Sequence, residues 1–167
     1  LMSSLPSNPI QHLHNTLYTE MHHVNTLILE RLQSKVDLVE EVAKHLVLSG
    51  GKRIRPLLTL ACSRLFQEHP GFAVHLAAAV ELIHTATLLH DDVVDDSHLR
   101  RGTTTANDVW GNNASVLVGD FLFSRAFQLM VETRNLDVLG SLSNAAACIT
   151  EGEVLQLTAA YSLDLTV

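Results

Sequence analysis

The chain has 167 residues, of which 47% are hydrophobic and 17% are charged, and its formal net charge at pH 7 is −7. This length and apolar content predict one domain, residues 1–167, with a substantial core. The acidic balance argues against nucleic acid as a partner, because proteins that bind it carry a basic field that exchanges with the counterions of phosphates.

Compartment signals predict a cytoplasmic protein. Cys62 and Cys148 lie far apart and have no metal-ligand spacing around them, which predicts free, mostly buried thiols in a reducing compartment. No apolar run reaches the roughly 18 to 20 residues of a membrane span, and the N-terminus lacks the basic start and apolar core of a signal peptide. We therefore expect no membrane span.

Segments with helical spacing follow one another along the chain. Pro56 opens one of them, at a position where its missing N–H costs nothing. Residues 72–96 are nearly apolar all round and lack Gly and Pro, which predicts a helix buried on most sides. Residues 113–134 and 139–161 continue the pattern, and no strand signal bounded by Asn-Gly or Asp-Gly turns occurs. The first such segment, residues 13–33, has one apolar face formed by Leu13, Leu17, Met21, Val24, Ile28 and Leu32. The predicted fold class is all-α, a multi-helix bundle.

An acidic cluster ends the apolar helix. Asp91 and Asp95 are four residues apart, so they share one helix face, with side-chain roots about 5–6 Å apart. Carboxylates at a helix C-terminus cost roughly 0.3–1 kcal/mol each, because the helix dipole is already negative there. A solvated acidic turn is the plain alternative, but a cluster at the end of a buried helix favours a compensating cation. Hard oxygen ligands suit Mg²⁺, or Mn²⁺, whose remaining ligands are commonly substrate phosphates.

Basic residues in a second stretch, GGKRIRP, would suit such phosphates. Lys52, Arg53 and Arg55 follow two glycines and precede a helix. Backbone N–H groups at a helix start, with cations beside them, form an anion site. The stretch does not have the spacing of a P-loop, and a helix cap with solvated cations is a second interpretation.

Further polar residues lie on either side of the aspartates. His84 precedes Asp91 by seven residues and falls on the same helix face, while Arg100 and Arg101 follow in a loop. Each also has a purely structural interpretation, namely a satisfied core histidine or a solvated arginine pair. Together with the other basic stretch they predict a cavity with a metal-binding rim and two basic anchors, as two phosphorylated substrates require.

Four motifs in order resemble those of the trans-isoprenyl diphosphate synthases, or polyprenyl synthetases. They are GGKRIRP, ELIHTATLLHDDVVDDSHLRRG, VLVGDFLFSRAF and EGEVLQL, and the resemblance extends over about residues 42–157. Terpene cyclases share the aspartate-rich motif but lack the first motif. The resemblance implies the isoprenoid synthase bundle, of which the first half is present, because no second aspartate-rich motif occurs in this sequence.

The resemblance also implies site roles. Asp91 and Asp95, with Asp92 as a third candidate, would hold Mg²⁺ against the diphosphate of an allylic substrate such as farnesyl diphosphate, and Arg100 would neutralise that diphosphate. Arg101 would bind isopentenyl diphosphate, together with Lys52, Arg55 and His84. Metal and arginine would then stabilise the leaving pyrophosphate, so that the double bond of isopentenyl diphosphate attacks the allylic carbocation.

Product length and assembly are further expectations from the resemblance. Ala86 and Thr87 lie about one turn before the aspartates, where short-chain members place aromatic side chains. A long-chain all-trans polyprenyl diphosphate, of the kind used for quinone side chains, is therefore favoured over a farnesyl or geranylgeranyl product. The family's habit predicts a homodimer, and peripheral membrane contact for product release stays open. Two different functions also stay open, namely a non-catalytic half or partner subunit of such a synthase, and a purely structural helical protein.

Overall fold

A computed structural model of the chain describes residues 8–48, 51–66 and 70–160. The fold class is all-α, as the sequence predicted. The chain divides into two compact units, Leu1–Thr133 and Arg134–Val167, and the prediction of a single domain stays a prediction. In chain order the described elements are α1 (Pro9–Thr16), α2 (Tyr18–Arg31), α3 (Asp37–Leu48), α4 (Ile54–Leu65), α5 (Pro70–Val94), β1 (Leu99–Arg100), β2 (Thr103–Thr104), α6 (Ala106–Trp110), α7 (Asn112–Glu132) and α8 (Leu136–Ala160).

Helix α5 is central to the first unit. It packs most extensively on α7 and also contacts α4, α2 and α6. Small side chains allow this close packing, because they let neighbouring helices approach. Residues along its length are completely buried: Ala77, Ala78, Ala79, Leu82, Ala86 and Leu89. The prediction of a helix buried on most sides is therefore confirmed, and this helix carries the acidic cluster at its end.

The first predicted helix is divided in two. Leu17 has φ −107° and ψ 18° and separates α1 from α2, although its N–H still donates to the carbonyl oxygen of Leu13. The predicted apolar face is nonetheless correct, since its members from Leu17 onward are buried and Leu13 is half-buried. Periodicity thus identified the core face but not the local break.

Helix α4 begins at Ile54, two residues before the predicted start at Pro56. Pro56 still lies in the first turn, where an N–H has no intrahelical acceptor. Residues 67–69, which were predicted to continue this helix, lie outside the described residues. Helices α3 and α6 and the short β1–β2 ribbon were not predicted.

Two helices are long and apolar enough to cross a membrane by length and composition alone, so the expectation of no membrane span stays a prediction. They cover residues 71–94 and 112–132, and 50% and 39% of their most apolar windows are buried inside the protein. Core helices of soluble proteins meet the same criteria of length and composition. The packing of α5 on four other helices accounts for its apolar composition without a bilayer.

The second unit contains α8. Asn135 caps its start, because its side-chain oxygen accepts from the N–H groups of Asp137 and Val138 at 3.0 and 3.2 Å. Several large apolar side chains of this helix are exposed: Leu136, Ile149, Val154, Leu155 and Leu157.

The cysteines are free, but the prediction that they are mostly buried is wrong. Cys62 and Cys148 are both exposed. Cys62 lies on the outer face of α4 with Leu58 and Leu65, which are three to four residues away and also exposed. The apolar composition of the segment concealed that this face points outward.

Candidate active site

The acidic end of α5 has a left-handed cap. Asp96 adopts φ 49°, and the N–H of Ser97 donates to the carbonyl oxygen of Asp92 at 2.9 Å, as in a Schellman motif. The N–H of Asp95 donates to the carbonyl oxygen of Asp91 at 2.8 Å, so helical hydrogen bonding extends to Asp95. Asp91 and Asp95 therefore follow each other by one turn along the helix axis.

The middle aspartate points inward. The side chain of Asp92 is completely buried, and its Oδ1 accepts from Nε and Nη2 of Arg100 at 2.9 and 2.7 Å. Its Oδ2 is buried and has no hydrogen-bond partner among the described residues. Asp95 is exposed and Asp91 is half-buried. Asp92 thus fixes Arg100, whereas Asp95 is open to solvent.

A tight hairpin carries the arginine pair. Arg101 and Gly102 have φ 53° and 81°, and they connect β1 to β2 with Arg100 opposite Thr103. Two successive residues with positive φ are the requirement of a type I′ turn, whose twist matches that of the strands. A two-residue strand is too short for the alternation that identifies strands in a sequence.

Three side chains hold this hairpin. The carbonyl oxygen of Ser97 accepts from Oγ1 of Thr105 at 2.7 Å and from Nδ2 of Asn107 at 3.1 Å. Nε2 of His45 lies 2.9 Å from the carbonyl oxygen of Thr104; since a carbonyl can only accept, His45 donates there. Helices α3 and α6 are thereby tied to the loop that presents the arginines.

The glycine-rich stretch lies against the hairpin. A Cβ added at Gly51 would lie 2.6 Å from Nη1 of Arg101, so the absence of a side chain makes room for the guanidinium. Nε2 of His14 lies 3.1 Å from the carbonyl oxygen of the next residue, Lys52. Gly50 lies outside the described residues.

Arg53 turns away from solvent. Its Nη1 donates to Oε1 of Glu81 at 2.6 Å, and its Nη2 donates to the carbonyl oxygen of Val47 at 2.7 Å. The two charged side chains are only 17% and 10% exposed. This pair joins the end of α3 and the start of α4 to α5.

Arg55 and His84 form a second contact between α4 and α5. Nη1 of Arg55 lies 3.2 Å from Nε2 of His84. Because a guanidinium can only donate, Nε2 accepts and the ring is neutral. Burial, and then the charge of Arg55, lower the pKa of His84, with smaller contributions in the same direction from Arg101 and Arg100, while Glu81 opposes them.

One cavity of roughly 470 Å³ brings these elements together. It is lined by the residues for which diphosphate binding was predicted: Lys52, Arg55, His84, Arg100 and Arg101. Arg53, Glu81, His45 and residues 103–105 complete its polar wall. Cations from two separate stretches of sequence, together with neutral His84, therefore face one space, which suits a compact anion with several oxygens.

Sequence reasoning missed two of the lining residues. Glu81 is a single acid within a nearly apolar helix, and it lies one turn before His84. A charged residue in a buried helix usually has a partner, and this signal could have identified it. Nothing in the sequence indicated that His45 reaches the hairpin.

The two residues predicted to set product length do not line this cavity. Ala86 is completely buried, and the hydroxyl of Thr87 donates to the carbonyl oxygen of His84 at 2.8 Å. Their predicted role stays a prediction.

The acidic cluster also lies outside the cavity lining. Among the described residues, no three His, Cys, Asp or Glu side chains converge to hold a metal ion. Two carboxylates one turn apart, beside a third with an unpartnered buried oxygen, are nevertheless hard donors of the kind that Mg²⁺ takes. Since Mg²⁺ is usually bound by one or two carboxylates with waters and phosphates, the residues present fit one side of such a site.

The family model and the sequence relatives described below are all named as polyprenyl or prenyl diphosphate synthases. The family model described as polyprenyl synthetase matches residues 36–167. Octaprenyl diphosphate synthase of Escherichia coli is 50% identical over 147 residues, which are 88% of this chain and 46% of the relative. Heptaprenyl diphosphate synthase component 2 of Geobacillus stearothermophilus is 40% identical over 137 residues, 81% of this chain and 43% of the relative.

Solved structures are similar as well. A decaprenyl diphosphate synthase from Rhodobacter capsulatus superposes with a TM-score of 0.91 at 57% identity, covering 95% of this chain and 49% of that chain. A polyprenyl synthase from Caulobacter crescentus, complexed with calcium and isoprenyl diphosphate, gives a TM-score of 0.91 at 50% identity, covering 98% and 50%. The chain thus spans about half the length of the relatives it matches.

Proposed function

We propose, from the premise that the chain belongs to the polyprenyl synthetase family, that it is the diphosphate-binding half of a prenyltransferase. The reaction condenses isopentenyl diphosphate with an allylic diphosphate such as farnesyl diphosphate and gives a long-chain all-trans polyprenyl diphosphate. The main observation that supports diphosphate binding is one cavity, which is lined by Lys52, Arg55, His84, Arg100 and Arg101. Relatives named for octaprenyl and decaprenyl products support the long-chain assignment.

Mg²⁺ is part of the proposal, held by Asp91 and Asp95. When bound, Mg²⁺ would supply electrophilic stabilisation of the pyrophosphate that leaves the allylic substrate. Arg100, fixed by Asp92, would place its remaining N–H groups beside the same charge. Asp92 was a third metal candidate, and its contact with Arg100 supports a positioning role instead.

The cavity residues would orient the second substrate. Lys52 and Arg101 would bind the diphosphate of isopentenyl diphosphate as compact and forked cations respectively. Arg55 would approach the same group while donating to neutral His84. Such anchors hold the double bond beside the reacting carbon, which lowers the entropy cost of a two-substrate reaction.

Assembly and location belong to the same proposal. The homodimer is the assembly that the resemblance to the family implies. Free cysteines support a reducing, cytoplasmic setting. A second candidate is a subunit that acts only with a partner chain, and it is favoured by the relative named as one component of a synthase.

The test is a product assay with binding measured in parallel. The chain is incubated with Mg²⁺, farnesyl diphosphate and labelled isopentenyl diphosphate, and prenyl products are identified by mass. Binding of isopentenyl diphosphate is measured by calorimetry, with Lys52→Gln as the variant expected to weaken it. Product would support the synthase. Binding without product would support the partner-dependent subunit, and an absence of both would contradict the proposal.

A further inference from the structure

Arg53 belongs to the basic stretch but contacts protein groups on two other helices. Its guanidinium donates to Glu81 at 2.6 Å and to the Val47 carbonyl oxygen at 2.7 Å. Both partners of the ion pair are largely buried. A buried ion pair of this kind costs desolvation energy, so it need not stabilise the fold. Its position at the cavity wall means that it also affects the charge of the cavity.

The backbone of Arg53 is also unusual. It has φ 47° and ψ 39°, the left-handed region, at the position just before α4. For a residue with a Cβ this conformation costs roughly 1 kcal/mol. The two guanidinium contacts hold the residue there, and its neighbours Lys52 and Arg55 are thereby given their places at the cavity.

Glu81 presents an electrostatic problem. It is an acidic residue that lines a cavity with Lys52, Arg55, Arg100 and Arg101. An unpaired carboxylate at that position would repel a diphosphate, because charge interactions are poorly screened in a partly buried site. Pairing with Arg53 cancels this repulsion.

We propose that Arg53 and Glu81 form a positioning pair that sets the net charge of the cavity and holds Lys52 and Arg55 at its rim. In this role the guanidinium of Arg53 and the carboxylate of Glu81 bond to each other rather than to the ligand. The inference rests on the proposed function, since it takes a diphosphate as the ligand of this cavity. It differs from the assigned anion-binding roles because it predicts opposite effects for the two members of one ion pair.

Affinity for inorganic pyrophosphate, measured by calorimetry on the whole chain, tests that sign pattern. Arg53→Gln leaves Glu81 uncompensated and is expected to weaken binding roughly tenfold. Glu81→Gln removes a negative charge and is expected to strengthen binding about threefold. The double variant should lie within about twofold of the parent, because the two changes share one interaction. Weakening by both single variants, or by neither, would overturn the pair's electrostatic role.

Controls separate charge from folding. Arg53→Lys keeps the charge but loses the forked geometry, so affinity should fall by less than for Arg53→Gln. The pair Arg31–Glu132 is a matched control, because its 2.7 Å ion pair involves no residue of the cavity. Arg31→Gln and Glu132→Gln should leave pyrophosphate affinity unchanged. If Arg53→Gln fails to fold, Glu81→Gln and Arg53→Lys still decide the sign.

The ring of His84 provides a readout that needs no ligand. Burial lowers its pKa most, Arg55, Arg101 and Arg100 lower it further, and Glu81 raises it. In NMR titrations Glu81→Gln is therefore expected to lower the pKa of His84. Arg53→Gln is expected to raise it, because Glu81 then loses its compensating charge. If these shifts occur but the parent does not bind pyrophosphate, the proposed function fails and the pair's control of cavity charge stands. If the parent binds with the same affinity as both variants, the pair's role fails and the proposed function stands.

Discussion

The guanidinium of Arg101 lies beside the Cα of Gly51, in the space that a side chain would otherwise occupy. An added Cβ would be 2.6 Å from Nη1. This contact brings the glycine-rich stretch and the hairpin together across the cavity. Position 51 requires glycine because the guanidinium of Arg101 occupies the space that a side chain would fill.

Gly51→Ala is therefore expected to displace Arg101 and to weaken pyrophosphate binding roughly tenfold, the effect of losing one charge-assisted hydrogen bond. Stability should change little, because the displaced atoms are the far end of a flexible side chain. Calorimetry and urea unfolding measure the two quantities. Combined with Arg101→Met, the alanine should add almost nothing; full additivity would show that it acts elsewhere.

A second prediction concerns the pH dependence of folding. Burial and Arg55 lower the pKa of His84 in the folded chain, whereas an unfolded histidine has a pKa of about 6.5. As pH falls through that value, the unfolded chain takes up a proton that the folded chain does not, so the free energy of unfolding decreases. The decrease ends below the folded pKa.

Urea unfolding between neutral and mildly acidic pH measures this slope. His84→Gln cannot titrate, and its slope should be shallower than that of the parent. Equal slopes would mean that His84 is not the group responsible.

Gly119→Ala should destabilise the protein, although alanine usually stabilises a helix by about 1 kcal/mol relative to glycine. A Cβ there would lie 2.2 Å from Nε2 of His90. The ring would have to leave the carbonyl oxygen of Val116, now 3.1 Å away, and the stacked ring of Phe123. We expect a loss of roughly 1–3 kcal/mol in the free energy of unfolding.

Gly140 in α8 is the matched control for Gly119, because beyond its own helical backbone no atom of the described residues lies within 4 Å of its added Cβ. Gly140→Ala should be neutral or stabilising. A stabilising Gly119→Ala would contradict the close contact with His90.

Substitutions of Asp92 and Asp95 should have different effects, the first on stability and the second on Mg²⁺-dependent binding. Asp92→Ala removes a buried carboxylate from Arg100, whose side chain is 29% exposed, so we expect a loss of about 2–3 kcal/mol, below the usual range for a fully buried pair. Asp95→Asn changes an exposed side chain and should alter stability by less than about 0.5 kcal/mol. The same variant should reduce the Mg²⁺-dependent part of allylic diphosphate binding.

Thermal unfolding and binding titrations with and without Mg²⁺ give both readouts for the aspartates. Normal stability of Asp92→Ala, or undiminished Mg²⁺ dependence of Asp95→Asn, would contradict this division of roles.

Product length gives a fifth prediction. The resemblance places Ala86 where short-chain members have aromatic side chains, so Ala86→Phe should shorten the polyprenyl product. Because Ala86 is completely buried, the larger ring should also cost roughly 1–3 kcal/mol of stability. Products are compared by mass with those of Thr87→Ser, which keeps the hydroxyl that bonds to His84. Unchanged length in a folded Ala86→Phe variant would count against the assignment.

Periodicity explains which parts of the fold were predictable. The apolar faces from Leu17 to Leu32 and along α5 follow local spacing, and the structure buries them. Helix ends were less predictable, because Arg53 and Asp96 adopt left-handed backbone conformations without being glycine. At Arg53 a contact with Glu81, 28 residues away, helps to decide this conformation, and no single segment contains that information.

The candidate site shows the same limit. The predicted cations do line one cavity: Lys52, Arg55, Arg100 and Arg101. Their charge, and their placement at a helix start or in a loop after the apolar helix, were visible in the sequence. The inward turn of Arg53 was not visible, because neighbouring arginines look alike until their partners are known. Its partner Glu81 lies 28 residues away.

The contacts of the site differ in how early they can form during folding, because they differ in sequence separation. Asp92 and Arg100 are only eight residues apart, so a short loop closure is enough to unite them, and this closure is fast. Arg55 and His84 are 29 residues apart and meet only when α4 docks on α5. The Asp92–Arg100 ion pair thus joins residues close in sequence, whereas the cavity depends on contacts between residues far apart in sequence. A partial opening that released α4 would disrupt the cavity but leave the Asp92–Arg100 ion pair intact.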